Sequence, residues 1–412
     1  MIHFFTDPIF RAPTWGCILM CLATSLMGVV IFLRKKSLLS ETLSHTAYPG
    51  ALVGISIVAL FFPFGEQWAF LGAIGGAFIS SLLGLKAIRL LEEKMGVRSD
   101  AALCFVLSVF FGIGIVIASA MQARLPIWKN QIQMLLFGQA ATMTDIHIWI
   151  YGTLAVFVIL FLNLAYRPLQ AALFDRNFAL TAGVPVIAIE RIYFALFLLS
   201  LTVGIRSVGV VLMSGMVIAP AVAARQFSDR LHIMLLLAAF FGAASGLLGN
   251  ILSVEGNLPT GPMIVLVGTA FALLSLLFAP KRGLLFRMIR ILKFRQRCLE
   301  ENILNGIWKK GSFAETPSLL LNYVLWRLKR GGWVKRDLSL TNDGKIKAAS
   351  IVRLHRLWEL YLTESLGFQT QNVHRTAEEM EHILTPEMEE KLTHLLQNPK
   401  HDPHDQPIPE RR

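Results

Sequence analysis

Apolar runs about as long as a bilayer is thick recur along the first two thirds of this 412-residue chain. They lie near residues 14–33, 48–63, 67–88, 101–121, 145–166, 192–205, 207–224, 231–252 and 261–280. A chain crossing lipid must satisfy its own backbone hydrogen bonds, so runs of this length fold as helices. Only 16% of the residues are charged and 54% are hydrophobic, which leaves too little charge to coat a soluble protein of this size. The sequence therefore predicts an all-α polytopic membrane protein with about 8–9 transmembrane helices. After Pro280 the pattern changes, charges become dense and apolar residues return to amphipathic spacing. We divide the chain into a transmembrane domain at 1–280, a basic connector at 281–299 and a soluble, mainly α domain at 300–412.

Loop charges orient the spans. Arg34, Lys35 and Lys36 follow the first run with no small-residue cleavage site, so that run is a membrane helix and not a cleavable leader. The positive-inside rule makes that loop cytoplasmic and the N-terminus external. Lys86, Arg89, Lys94 and Arg98, then Arg167, Arg176 and Arg191, then Arg225 and Arg230, fall on the same side, and Lys281 and Arg282 close the series. Nine crossings satisfy this parity and eight do not. The 192–224 stretch is barely long enough for two helices, with Arg206 at the expected turn, and one helix plus a re-entrant segment is the alternative. The net charge of +12 is unevenly placed. Residues 281–353 hold 17 Lys/Arg against 5 Asp/Glu, and residues 354–412 hold 6 against 11. A basic stretch beside a membrane fits topology signals or anionic lipid, with nucleic acid as the sharper alternative. Cys17, Cys21, Cys104 and Cys298 form no paired-cysteine metal motif and no disulfide framework.

Ionisable groups inside a membrane are costly and mark functional sites. Glu41 and His45, four apart and just before Pro49, share one face of a helix. A carboxylate with an imidazole suits a borderline divalent metal. The same spacing also suits a self-satisfied ion pair at a helix end. A second segment, Phe174 to Pro185, lies in a predicted cytoplasmic loop and breaks helix structure at Gly183 and Pro185. It reads either as a short helix that docks on a partner or as a plain connector. No Gly-rich phosphate loop ending in Gly-Lys-Ser/Thr occurs, so this chain is expected to bind no nucleotide and to be no enzyme.

Ser40-Glu41-Thr42-Leu43-Ser44-His45, followed by Pro49-Gly50, resembles the signature of the metal-type ABC permease family, the zinc, manganese and iron importers. Asp100 to Ser119, Leu136-Phe137-Gly138, Val208 to Leu212, Ile218-Ala219-Pro220-Ala221 and Pro259-Thr260-Gly261-Pro262 extend the resemblance over about residues 10–280. Ser40-Glu41 stands where Gly-Asp is usual. The resemblance implies a transport pathway at Glu41, His45 and Pro49. It implies an ATPase-coupling helix around Asp175, Ala179, Gly183 and Pro185. It also implies an ABC ATPase partner, an extracytoplasmic metal-binding protein, a second permease subunit in a homo- or heterodimer, and a bacterial inner membrane with the C-terminal domain cytoplasmic.

In the soluble part, a helix is predicted from Pro317 to Arg330. Trp333-Val334 and Leu338 to Thr341 alternate like short strands, and Asn342-Asp343-Gly344 gives a turn signal. Further helices are predicted at about 345–366, 372–383 and 386–397, and the tail from Asn398 reads as extended. His355 and Glu359 are four apart, as are His374 and Glu378, and Glu381 and His382 follow on the same stripe. Such an N/O set suits Mn(II) or Fe(II), with Zn(II) possible. It equally suits a solvated acidic face.

Leu340-Thr341-x-x-Gly344, Arg353 to Glu359, His374 to His382 and Asp402 to Pro409 resemble the diphtheria-toxin-repressor family of metal-dependent repressors. That resemblance implies a winged-helix-like fold. It makes His355, Glu378, Glu381 and His382 metal ligands, with His355, Glu359 and His374 forming an ancillary site. A further ligand position falls on Glu301 or Asn302. The segment between Gly311 and Pro317 is too short for the usual first helix of the DNA-reading pair, and the recognition helix at 319–327 is apolar. Arg327, Lys329, Arg330, Lys335 and Arg336 remain as phosphate contacts to operator DNA. The whole resembles the permease–repressor fusions of chlamydia-like bacteria. One reading makes the soluble domain a transcriptional repressor, tethered or released by proteolysis, and the other makes it a metal sensor that regulates transport directly.

Overall fold

The computed structural model describes residues 3–61, 66–124, 129–311, 319–368 and 386–410. The chain divides into two compact units, Met1–Phe286 and Arg287–Arg412. In the first, the long helices are α1 (Pro8–Leu33), α2 (Ser37–Phe61), α3 (Glu66–Glu93), α4 (Ser99–Arg124), α6 (Asp145–Leu164), α9 (Val186–Val208), α10 (Met213–Phe227), α11 (Leu231–Gly256) and α12 (Thr260–Phe278). The shorter ones include α5 (Lys129–Phe137), α7 (Tyr166–Phe174) and α8 (Arg176–Thr181), beside a single turn at His3–Thr6 and a 3-10 turn at Ala140–Thr142. Among the described residues, seven helices are long and apolar enough to cross a membrane, namely α1, α3, α4, α6, α9, α11 and α12. The protein is thus a multi-pass membrane protein.

Helix α1 starts where Asp7 accepts a hydrogen bond from Ile9 N at 3.1 Å and Pro8 takes the first helical position. It is buried on every side along much of its length, with Met20, Cys21, Met27 and Val30 fully covered. A helix that is apolar all round belongs at the centre of a bundle, and α1 sits there. Tyr193 on α9 donates to Met27 O at 2.6 Å, and Asn250 on α11 donates to Thr14 Oγ1 at 2.9 Å. Cys17 and Cys21 are buried small apolar groups here, with Cys21 Sγ 3.5 Å from Met216 Sδ.

Helices α2 and α3 meet backbone to backbone. A methyl group added at Gly50 would stand 2.2 Å from Gly76 O, and one at Gly54 would stand 2.0 Å from Gly72 O. Both helices carry Gly-x-x-x-Gly, the small-residue spacing that lets membrane helices approach closely without a hydrophobic driving force. This crossing fixes the helix that carries Glu41 and His45.

Two helices do occupy the 192–224 stretch, but their bounds differ from expectation. Arg206 lies in the last turn of α9 and not at the turn, which is made by residues 209–212. Gly209 has φ +89°, a conformation that ends α9 at little steric cost. The loop then pairs with the end of α5, with Val210 N donating to Leu135 O at 2.9 Å. The Arg206 guanidinium lies over the Phe70 ring, 5.0 Å from its centroid.

The second unit uses most of α13 (Leu284–Lys310), then α14 (Leu319–Arg330), α15 (Asn342–Glu364) and α16 (Pro386–Leu395). The expected connector is helical from Leu284 onward. Ile303, Leu304 and Ile307 of α13 form a core with Leu321, Val324 and Leu328 of α14, with Val334 and Leu340, and with Ala348 and Ile351 of α15. Helix α14 is therefore amphipathic and not simply apolar. It turns Leu321, Val324 and Leu328 inward and leaves Tyr323 and Trp326 about half exposed.

Three sequence expectations are corrected in this unit. Asn342-Asp343-Gly344 is the first turn of α15 and not a separate turn, because the Thr341 hydroxyl caps the helix by accepting from Gly344 N at 3.0 Å. Among the described residues the two expected strands reduce to one antiparallel bridge, Val334 with Leu340. Leu338 at φ +64° turns the chain too tightly between them for a longer ladder. The tail is folded, not extended. Asp402 accepts from His404 N and Gln406 N, both at 2.8 Å, His401 bridges Pro407, and Ile408 is buried.

Candidate metal pathway and regulatory sites

Glu41 and His45 lie one turn apart in the first third of α2, with Glu41 half-buried and His45 buried. The neighbouring hydroxyls are satisfied within the fold. Ser40 donates to Ser37 O at 2.8 Å, Thr42 to Leu38 O at 2.9 Å, Ser44 to Ser40 O at 2.7 Å and Thr46 to Leu43 O at 2.9 Å. Ser80 of α3 donates to Thr46 O at 2.6 Å. The His45 ring stands edge-on to Phe111 at 4.6 Å, yet its Nδ1 has no hydrogen-bond partner among the described residues, nor has Tyr48 OH one turn on. Buried polar atoms are nearly always paired, so an orphan nitrogen beside a carboxylate has the chemistry of a metal ligand. Pro49 lies inside α2, buried, where its missing N–H frees the carbonyl of His45 from helix bonding.

The 174–185 segment folds as α8. Asp175 is its N-cap and accepts from Asn177 N at 2.9 Å and Phe178 N at 3.0 Å. Gly183 at φ +78° ends the motif, and Pro185 is the N-cap of α9. Ala179 is fully buried against Ala172 and Val186, so it fastens the helix and makes no outward contact. The outward groups are Phe174, 94% exposed, and Phe178, 65% exposed. Reasoning from motifs passed over these two, and their signal was two aromatics at i and i+4 in a polar loop. Glu190 on α9 joins the loop to the end of α1, with Arg176 at 3.3 Å and Arg34 at 3.0 Å from its Oε1.

In the second unit, His355 Nε2 and Glu359 Oε1 are 3.2 Å apart, both 2% exposed. A buried imidazole with a carboxylate fits half of an N/O metal site. His374, Glu378, Glu381 and His382 lie outside the described residues. Among the described residues no three His, Cys, Asp or Glu side chains gather as a metal site. Glu301 is held by Arg297 at 2.8 Å, which raises the Arg297 pKa, and Asn302 is exposed.

The five candidate DNA contacts are all exposed. Arg327 leans on Glu300 at 3.4 Å and Arg330 stacks 5.3 Å from the Trp326 centroid, while Lys329, Lys335 and Arg336 flank them. Asp337, beside Arg336, has its carboxyl held below the usual range by the hydroxyl and N–H of Ser339. Lys347 Nζ lies 3.6 Å from the Trp333 ring centroid, and burial lowers its pKa.

The ABC 3 transport family matches residues 6–279, and the metal binding and dimerisation domain of iron dependent repressors matches residues 341–410. A probable metal transport system membrane protein of Chlamydia trachomatis is 34% identical over 99% of this chain and 97% of its own length. The manganese transport system membrane protein MntC of Bacillus subtilis is 30% identical over 85% of this chain and 83% of its own. The solved structure of PsaBC from Streptococcus pneumoniae in complex with Fab superposes with a TM-score of 0.59 at 24% identity, covering 68% of this chain and 95% of that one.

Proposed function

This chain belongs to the ABC 3 transport family, and from that premise we infer that it imports a divalent transition metal, manganese, iron or zinc, as the membrane permease subunit of an ATP-driven importer. The observation that carries the pathway is His45, a buried imidazole with an unpartnered ring nitrogen one turn from Glu41. The ion is cargo here, passed by Glu41 and His45 between the two sides of the bilayer. ATP is hydrolysed by a separate subunit that docks on α8. A second permease subunit and an extracytoplasmic metal-binding protein complete the importer. Nine crossings, the seven above with α2 and α10, put every arginine-rich loop and the C-terminal unit on the cytoplasmic side of the inner membrane.

The exposed aromatics of α8 make the coupling reading testable. Phe178→Ala removes an outward ring without touching the Asp175 cap or buried Ala179. We expect metal uptake to fall by about tenfold, with subunit assembly weakened on co-purification, because such rings dominate small interfaces. Wild-type uptake by Phe178→Ala together with Phe174→Ala would place ATPase docking elsewhere.

The C-terminal domain acts as a metal-dependent transcriptional repressor. Its resident metal would be held by His355 and Glu359 with His374, Glu378, Glu381 and His382, and Arg327, Lys329, Arg330, Lys335 and Arg336 would contact DNA phosphates. The bound metal neutralises a donor set that is otherwise costly to bury. The second reading, direct regulation of transport, draws on Tyr323 and Trp326, two exposed aromatics on the outward face of α14 beside its cations, where polar side chains would be needed to read base edges. An operator-shift assay with Mn(II) or Fe(II) separates the two. Metal-dependent retardation of the chain's own promoter supports repression. Its absence, with a metal response of uptake that is lost on truncation at residue 285, supports direct regulation.

A further inference from the structure

The start of α13 is dressed for a membrane surface and not for a protein core. All eight large apolar side chains between Leu284 and Phe294 are at least 40% exposed, and none enters the core formed by Ile303, Leu304 and Ile307 further along the same helix. Their arrangement is ordered. At about 100° per residue, Leu284, Leu285, Met288, Ile289, Ile291 and Leu292 fill one continuous arc of the helix. Arg287, Arg290, Lys293 and Arg297 fill the opposite arc, with Phe286 and Phe294 among them. Arg295 falls at the apolar arc on its C-terminal end, where a long side chain can reach back to the polar level.

The position of this segment along the chain says what it meets. Membrane helix α12 ends at Phe278, six positions before Leu284. Arg282 is tied to Asp229 at 2.5 Å, and Asp229 also holds Arg225 at 2.9 Å. The exit of α12 is thus pinned to the α10–α11 turn, at the arginine-rich membrane face. A helix that starts there with a broad apolar arc and a cationic arc, and no acidic residue before Glu300, matches an anionic leaflet. A nucleic-acid face needs the cations but not the apolar arc.

We propose that residues 284–294 form an interfacial helix that lies in the headgroup region of an anionic lipid leaflet, its apolar arc in the acyl boundary and its cations on lipid phosphates. Lipid charge sets its occupancy, because each Lys or Arg near an anionic surface strengthens binding by about fivefold.

Met288 is a native reporter, 58% exposed on the apolar arc, and Met388, 51% exposed in the second unit, is an internal control. The full chain is reconstituted singly in nanodiscs of phosphatidylcholine alone or with 30% phosphatidylglycerol (about the anionic share the test requires), and methionine oxidation by dilute peroxide is followed by mass spectrometry. We expect Met288 to oxidise at least about fivefold more slowly in the anionic discs, with Met388 unchanged. We expect Arg287→Glu/Arg290→Glu/Lys293→Glu to abolish that difference while leaving helical circular dichroism at wild-type level, since none of the three side chains enters a core. Equal oxidation in both lipids overturns the proposal, whether Met288 is open in both or covered in both by protein. Protection that appears only on adding duplex DNA overturns it in favour of nucleic acid.

Discussion

His45→Ala is expected to reduce metal uptake to background, at least about 100-fold, while the protein stays in the membrane at wild-type level. The loss is large because α2 holds no other imidazole, and the half-buried carboxylate of Glu41 would be left to bind a partly dehydrated ion alone. The fold should survive. Alanine is the better helix former, the ring contacts Phe111 only edge-on, and α2 is held to α3 by glycines further along the helix and by hydroxyl bonds to the Leu43 and Thr46 carbonyls, none of which uses the imidazole. Radiometal or ICP-MS uptake, set against immunodetected protein, reads the two effects separately. Glu41→Gln keeps the shape and removes the charge, and uptake should fall with it. Sustained uptake by His45→Ala would remove α2 from the pathway.

The second large effect is expected at Arg353. Its guanidinium is buried and donates to Glu389 Oε1 at 3.1 Å, Thr393 Oγ1 at 3.2 Å and Pro409 O at 2.8 Å. One side chain thereby holds α16 and the folded tail against α15. Nearby Arg356 repeats the clamp on Asp402 and on Pro407 O. Arg353→Ala leaves the Glu389 carboxylate buried without its counter-charge, which costs about 3–5 kcal/mol. Against a stability of about 5–15 kcal/mol for a domain, that is a large share. Amide hydrogens of α15 and α16 in the full chain should exchange about 10²–10⁴-fold faster, with the membrane helices unaffected. The paired change Arg353→Met/Glu389→Met should recover most of the loss, because an apolar pair needs no compensation. Unchanged exchange in Arg353→Ala would mean that the clamp contributes nothing.

What the sequence made legible follows from the strength of each physical signal. Membrane helices are announced by length and apolarity, and α1, α3, α4, α6, α9, α11 and α12 could all be read that way. The bounds of α9 and α10 were not, because Arg206 looks like a turn residue until Phe70 is seen beneath its guanidinium. Helix α15 hid its start, because Asn342-Asp343-Gly344 reads as a turn wherever the Thr341 cap goes unnoticed. In α8, the residues that fasten the helix and those it presents are indistinguishable in one dimension. Ala179 and Phe178 are neighbours in sequence and opposite in exposure. The tail gave no warning of its fold, since the partners of Pro407 and Pro409 lie about fifty residues upstream.

The glycine crossing of α2 and α3 also bears on which variation this chain can accept. Exchanging one small apolar residue for a slightly larger one is ordinarily among the mildest changes inside a bilayer, since lipid tails absorb the extra methyl. At Gly50, Gly54 and Gly76 the extra methyl would meet a carbonyl oxygen at 2.0–2.2 Å, closer than atoms can stand. Drift among homologous chains is therefore forbidden where hydropathy alone would call it neutral. Val53 and Ile57, on the same helix, are about half exposed and meet no such backbone contact, so other apolar residues fit there.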